Sequence, residues 1–188
     1  MNTISQKKID AMNLIRQEFN YINSHPSANI GVTVGIPDDT NIFHWTATMI
    51  GPKDTSYKSG FFILDIDFPD DYPEHPPEIC FRTPIYRVNV NPNKSYEKGA
   101  ETLGHICIST LNWWSPEYRM MEVLTNIFGL FYMANPESPY GRDRASEFTE
   151  NRALHEEKIV FFTKKYANPR NANIETKYNQ SWDFSYGY

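Results

Sequence analysis

The sequence predicts an α+β fold: an N-terminal helix, a four-stranded antiparallel meander sheet, a long irregular segment, a buried central helix and C-terminal helices. Three observations predict it. Strand-like segments are grouped in the first half instead of alternating with helices, which argues against a parallel α/β sheet. Two of these segments alternate apolar and polar residues with period two, Phe43 to Met49 and Phe62 to Phe68. Helical periodicity appears on either side of them. With 188 residues, 40% of them hydrophobic, the chain suffices for one core with a short extension and is too apolar to be disordered.

The first helix is read from Ile9, Met12, Ile15, Phe19 and Ile22, with Lys7, Lys8, Arg16 and Gln17 between them. It should stop near His25-Pro26, because the residue before proline disfavours helical geometry. A β-branched run from Ile30 to Gly35 follows, then the turn Pro37 to Asn41. The strand carrying Phe43, Trp45, Ala47 and Met49 is separated by Gly51 to Ser56 from the one carrying Phe62, Leu64, Ile66 and Phe68. Ile79 to Arg82 makes a short fourth strand. Short turns between consecutive strands imply a meander with one buried face.

From Thr83 to Tyr118 the chain has few periodic apolar residues and many Asn, Pro, Gly and Ser. A loop of that length in a compact domain is usually either functional or a sign that an element within it has been misassigned. Helical spacing resumes with Met120, Val123, Leu124, Ile127, Leu130 and Phe131, apolar nearly all round and therefore expected at the centre. Asn135-Pro136 ends it, and a last helix runs through about Asn151 to Tyr166.

Charge and composition exclude several functions. With 23 acidic against 18 basic residues and a net charge of -5, no basic face for nucleic acid is expected. No apolar run approaches the roughly 20 residues of a membrane span, and the N-terminus lacks a signal-peptide core. Two cysteines, Cys80 and Cys107, make neither a disulfide framework nor a zinc site, so no metal and a reducing cytoplasmic or nuclear setting are expected. Cys107, in the irregular segment, is the candidate nucleophile, because a thiol is partly ionised at neutral pH and sulfur is intrinsically reactive. The alternative for it is a small buried hydrophobe, and for Cys80 that reading prevails. His105, two residues from Cys107, would face the same way in extended chain, which leaves a cysteine hydrolase in play.

Met49-Ile-Gly-Pro-Lys-Asp-Thr-Ser-Tyr-Lys-Ser-Gly-Phe61 is similar to the turn and strand opening of ubiquitin-conjugating enzymes. Phe68-Pro-Asp-Asp-Tyr-Pro-Glu-His-Pro-Pro77 resembles their proline-rich turn. Phe81 to Tyr86, the Ile-Cys-Ile run around Cys107, Trp114-Ser-Pro116 and Asn135-Pro-Glu-Ser-Pro139 follow in the family's order. The resemblance covers roughly positions 5 to 167, implying a core domain over 1–167 and an extension over 168–188.

The resemblance implies that ubiquitin or a ubiquitin-like protein is received from an activating enzyme, which uses ATP, as a thioester on Cys107. Transfer then goes to a substrate lysine or through a ubiquitin ligase, with no cofactor bound and a monomeric protein. It implies for Asn89 either donation to the oxyanion or bracing of the active-site loop. Ser138 would be a gate beside the incoming lysine, and Tyr86 would pack against that lysine. Lys7 and Lys8 would meet the activating enzyme, while Glu74, Trp114, Ser115, Pro116 and Glu117 would line the ligase surface.

The family's His-Pro-Asn motif reads Arg87-Val88-Asn89 here, with Asn91 and Asn93 as rival asparagines, and extra residues stand around Asn93 to Thr102. Glu74 and Glu117 replace apolar residues on the ligase surface, which disfavours ordinary RING-type partners. A catalytically silent variant acting as a binding adaptor is the alternative function.

Overall fold

The structure is a computed structural model that describes residues 5–25, 31–92, 104–135, 139–140 and 142–168. Helix α1 (Gln6–Ser24) begins where the Ser5 side chain accepts from the Lys8 backbone N–H. Its buried face is Ala11, Ile15, Glu18 and Ile22, a true i, i+4, i+7, i+11 stripe. Ile9, read from the sequence as part of that stripe, is 39% exposed.

Strands β1 (Val32–Gly35), β2 (His44–Ile50), β3 (Phe61–Asp67) and β4 (Glu78–Phe81) form one antiparallel sheet in that order. Trp45, Ala47 and Met49 on β2 and Phe62, Leu64 and Ile66 on β3 are fully buried, as alternation predicts. The outer face carries polar pairs, among them Thr46 opposite Asp65 and His44 opposite Asp67. Asp65, 3% exposed, is held there by the Arg82 guanidinium.

The segment after β4 is irregular yet buried. Thr83, Tyr86, Arg87, Val88, Asn89, Val90 and Asn91 are all at or below 9% exposed. Its backbone groups find partners in other loops: Asn91 N–H donates to His105, Gly104 N–H to Asn91, and Tyr140 N–H to Val88. Gly104 is needed for this crossing, since its φ is +80° and a Cβ would lie 2.1 Å from the Phe81 carbonyl oxygen.

A single-turn helix, α2 (Ser109–Asn112), precedes α3 (Met120–Gly129). Contrary to the sequence reading, α3 is buried on one face only. Met120, Val123, Leu124, Ile127 and Phe128 are inside, whereas Glu122, Thr125, Asn126 and Gly129 are exposed. Its N-terminus is capped from another element: Glu18 Oε2 accepts from Met120 N–H at 2.6 Å, and Oε1 from the Tyr72 hydroxyl at 2.8 Å. Burial pushes the Glu18 carboxyl up, and these two hydrogen bonds pull against that.

Helix α4 (Arg142–Glu150), absent from the residue-by-residue reading, precedes α5 (Arg152–Tyr166). Its sequence, RDRASEFTE, has no apolar stripe. It is held through Arg144, buried with its guanidinium 4.4 Å from the Tyr86 ring, and through Glu147, to which Tyr86, His155 and Lys158 are bonded. Burial lowers the Arg144 pKa to about 10. Among the described residues no helix is long and apolar enough to cross a membrane.

Candidate active site

The site is built where three irregular stretches meet. The Cys107 N–H donates to the Asn89 carbonyl at 2.9 Å, while Val90 and Ile106 form a bridge beside it. Val88, Val90 and Ile106, all 0% exposed, anchor this pairing in the core. Cys107 is half-buried, with its backbone held by this pairing. Cys80 is the opposite case: it is 5% exposed, and burial pushes its thiol up, followed by the charges of Glu78, Asp65 and Asp67.

The Asn89 side chain is 0% exposed and committed to the far strand of chain. Its Nδ2 donates to the Asn135 carbonyl at 2.7 Å, and its Oδ1 accepts from the Asn135 N–H at 2.9 Å. This two-point clasp joins the Cys107 loop to the chain leaving α3. Asn91, the first rival, is buried and has its backbone paired to His105 and Gly104. Asn93 and the stretch to Thr102 lie outside the described residues, as do Ser138 and residues 169–188 of the expected extension.

Among the described residues one side-chain amide reaches the sulfur, and it is one the sequence reading passed over. Asn112 Nδ2, at the end of α2, donates to Cys107 Sγ at 3.2 Å. His105 turns elsewhere, its Nδ1 2.6 Å from the Tyr140 hydroxyl. The imidazole–thiol pair of the hydrolase reading therefore does not form among the described contacts.

Tyr86, read as packing beside the acceptor lysine, sits in a buried wall of the site. Its ring is 7% exposed, stacked on Phe162 with centroids 5.3 Å apart, and its hydroxyl donates to Glu147 Oε1 at 2.9 Å. A phenol finds an apolar wall and a carboxylate here, so it ties α4 and α5 to the loop. Desolvation acts to raise the Glu147 carboxyl but is outweighed by Lys158, Tyr86 and His155, and the net shift is downward.

Arg87 is 2% exposed, with Nη1 donating to the Tyr57 hydroxyl at 3.5 Å. Its Nε and Nη2 are buried and have no hydrogen-bond partner among the described residues.

Several of the residues read as partner-binding are linked by direct contacts. Trp114 Nε1 donates to the Pro73 carbonyl at 2.7 Å, which sets the Trp114–Glu117 loop beside the turn carrying Glu74. Ser115 Oγ accepts from the Glu117 N–H at 3.4 Å, and Glu74, Pro116 and Glu117 are exposed. Lys8 Nζ is 2.7 Å from Asp70 of that turn, whereas Lys7 is exposed. Among the described residues no His, Cys, Asp and Glu group could hold a metal ion.

The family model for ubiquitin-conjugating enzymes matches residues 14–163, a span that includes Asn89, Cys107 and Asn112. The chain belongs to the ubiquitin-conjugating enzyme family. A curated relative, ubiquitin-conjugating enzyme E2 15 of Schizosaccharomyces pombe, is 35% identical over 152 residues, covering 73% of this chain and 84% of that protein. The N-terminal helix, four-stranded antiparallel sheet and C-terminal helices described above are the family's α+β architecture. A transferase role in ubiquitin conjugation follows for this conjugating enzyme.

Proposed function

We propose that this conjugating enzyme accepts ubiquitin or a ubiquitin-like protein from an activating enzyme as a thioester on Cys107 and passes it to a lysine or to a ligase cysteine. The observation that carries the reading is Cys107 itself, a half-buried thiol inside the family-matched span with its backbone tied to Asn89 at 2.9 Å. A thioester suits transfer because its carbonyl is less resonance-stabilised than an amide's and thiolate departs readily.

In transfer, the neutral amine of the acceptor attacks the thioester carbonyl, the C–N bond forms, and the C–S bond breaks with its electron pair returning to Sγ. The proton shed by nitrogen goes to water. No strong general base is required, since a desolvated lysine loses its proton more easily than one in water. Asn89 acts as the brace of the active-site loop, with both ends of its amide used on Asn135. Ser138 remains the proposed gate beside the acceptor lysine, by resemblance. Lys7 and Lys8 serve the activating enzyme, and Glu74, Trp114, Ser115, Pro116 and Glu117 form the ligase-facing surface. ATP is consumed upstream by the activating enzyme, the protein works as a monomer, and the setting is cytoplasmic or nuclear.

Incubation with activating enzyme, ATP and ubiquitin, resolved on a non-reducing gel, tests the reading. A band shift that thiol removes and Cys107→Ala abolishes is expected, and Cys107→Lys should give a thiol-resistant adduct. Wild-type protein that binds ubiquitin without forming an adduct would replace this reading with the adaptor function.

A further inference from the structure

We propose that Asn112 is a catalytic residue of this site, donating a hydrogen bond from its side-chain amide to Cys107 Sγ as the sulfur becomes a thiolate leaving group. The inference rests on the reading of Cys107 as the thioester-forming residue. Its basis is the 3.2 Å contact between Asn112 Nδ2 and Cys107 Sγ.

The two groups are held independently. The Cys107 backbone is fixed by its bond to the Asn89 carbonyl. Asn112 is fixed by the turn it terminates: its own N–H donates to the Ile108 carbonyl at 3.0 Å and that of Trp113 to Ser109 at 2.8 Å. Thr110 Oγ1, in the middle of the same turn, accepts from Asn126 Nδ2 of α3 at 3.2 Å, which ties α2 to the core. One helical turn thus carries the amide from the residue after Cys107 back over the sulfur.

Asn112 is exposed, so no burial penalty forces its amide to seek a partner. Asn89 directs one amide donor and its acceptor oxygen to Asn135, whereas the amide that hydrogen-bonds the sulfur is that of Asn112.

The chemistry makes the contact matter most where charge appears. A thioester sulfur is a poor acceptor, whereas a thiolate is a good one, so the bond strengthens along the reaction coordinate. When an amine has added to the thioester carbonyl, the tetrahedral species partitions. It either expels the amine and returns, or breaks the C–S bond, sending the electron pair to Sγ and a nitrogen proton to water. A donor on the sulfur favours the second branch.

The test uses full-length protein carrying Asn112→Ala, Asn112→Asp or Asn112→Gln, with melting temperature measured on each. Two rates are followed: iodoacetamide alkylation of uncharged Cys107 at pH 7, read by mass spectrometry, and single-turnover discharge of ubiquitin to free lysine. Asn112→Ala should slow discharge on the order of tenfold, as for loss of one hydrogen bond to a developing charge at an exposed site. Alkylation should slow as well. Asn112→Asp should be slower still in both, because a carboxylate repels the thiolate, and Asn112→Gln should recover part of the loss. Melting temperatures should match the wild type.

Discharge within twofold of wild type for Asn112→Ala overturns the proposal. So does slowed discharge with unchanged alkylation and no further loss in Asn112→Asp, since the amide would then not act on the sulfur. Wild-type protein that never charges sinks the thioester reading instead, and the alkylation series still decides whether the amide stabilises the thiolate.

Discussion

Asn89→Ala separates bracing from oxyanion donation. The substitution removes two hydrogen bonds to Asn135, at 2.7 and 2.9 Å, from a fully buried side chain. Each is worth about 1 kcal/mol net. Asn135 is exposed, so water can reach the backbone groups left behind and the full desolvation penalty does not apply. A loss of about 2 kcal/mol follows for the pair, with somewhat more for the space vacated in the core. For a domain of this size that corresponds to a melting temperature lower by roughly 4–8 °C. The Cys107 loop shares the clasp through the Asn89 carbonyl, so charging and discharge should slow together. Thermal melting and single-turnover charging and discharge, measured on the same preparations, provide the comparison. A variant that melts like wild type, charges normally and loses on the order of 10² to 10³ only in discharge would refute the bracing role, that being the signature of a lost oxyanion donor.

Lys7→Glu with Lys8→Glu should slow charging on the order of tenfold at low salt and less at high salt, measured as thioester formation against ionic strength. Lys7 should carry the larger share, because Lys8 is already offset by Asp70 at 2.7 Å. Cys80→Ala should leave charging intact and cost about 1 kcal/mol by denaturant melting. Burial, outweighing Glu147, holds His155 below the usual histidine range, so the unfolded chain binds the proton first and the stability from neutral His155 is lost as pH falls below about 6.5. Glu147, also shifted down, adds a loss of the same sign below the ordinary carboxylate value. His155→Phe, which keeps the ring between Tyr86 and Phe148, should flatten the melting temperature between pH 6.5 and 5.

Family membership, sheet order and the irregular course of the segment carrying Cys107 were legible in the residues alone. Alternation through Trp45, Ala47 and Met49 and through Phe62, Leu64 and Ile66 shows which face is buried, because every second side chain meets the core whatever the partner strand is. Helix α3 was legible in place but not in environment, since its sequence is apolar beyond the face that is covered. Glu18 shows the reverse: a charged residue lies on the inner stripe of α1 because Tyr72 and the start of α3, 102 positions away, supply its partners.

Local periodicity made the strands, α1, α3 and α5 readable along the chain, and flanking residue types singled out Cys107 over Cys80 as the candidate, because both are properties of neighbours in sequence. Which partners the polar side chains near the cysteine meet follows from tertiary contacts alone. Asn89 meets Asn135 across 46 positions, Tyr86 meets Glu147 across 61, and α4 takes shape without an apolar stripe because Arg144 and Glu147 are bonded into the wall around Tyr86. Asn112 lies five residues from Cys107, yet its amide reaches the sulfur only because a single turn, tied to α3 through Thr110, folds it back. In irregular backbone no repeat relates sequence position to direction, so the crossing of loops, and not their composition, settles which groups meet.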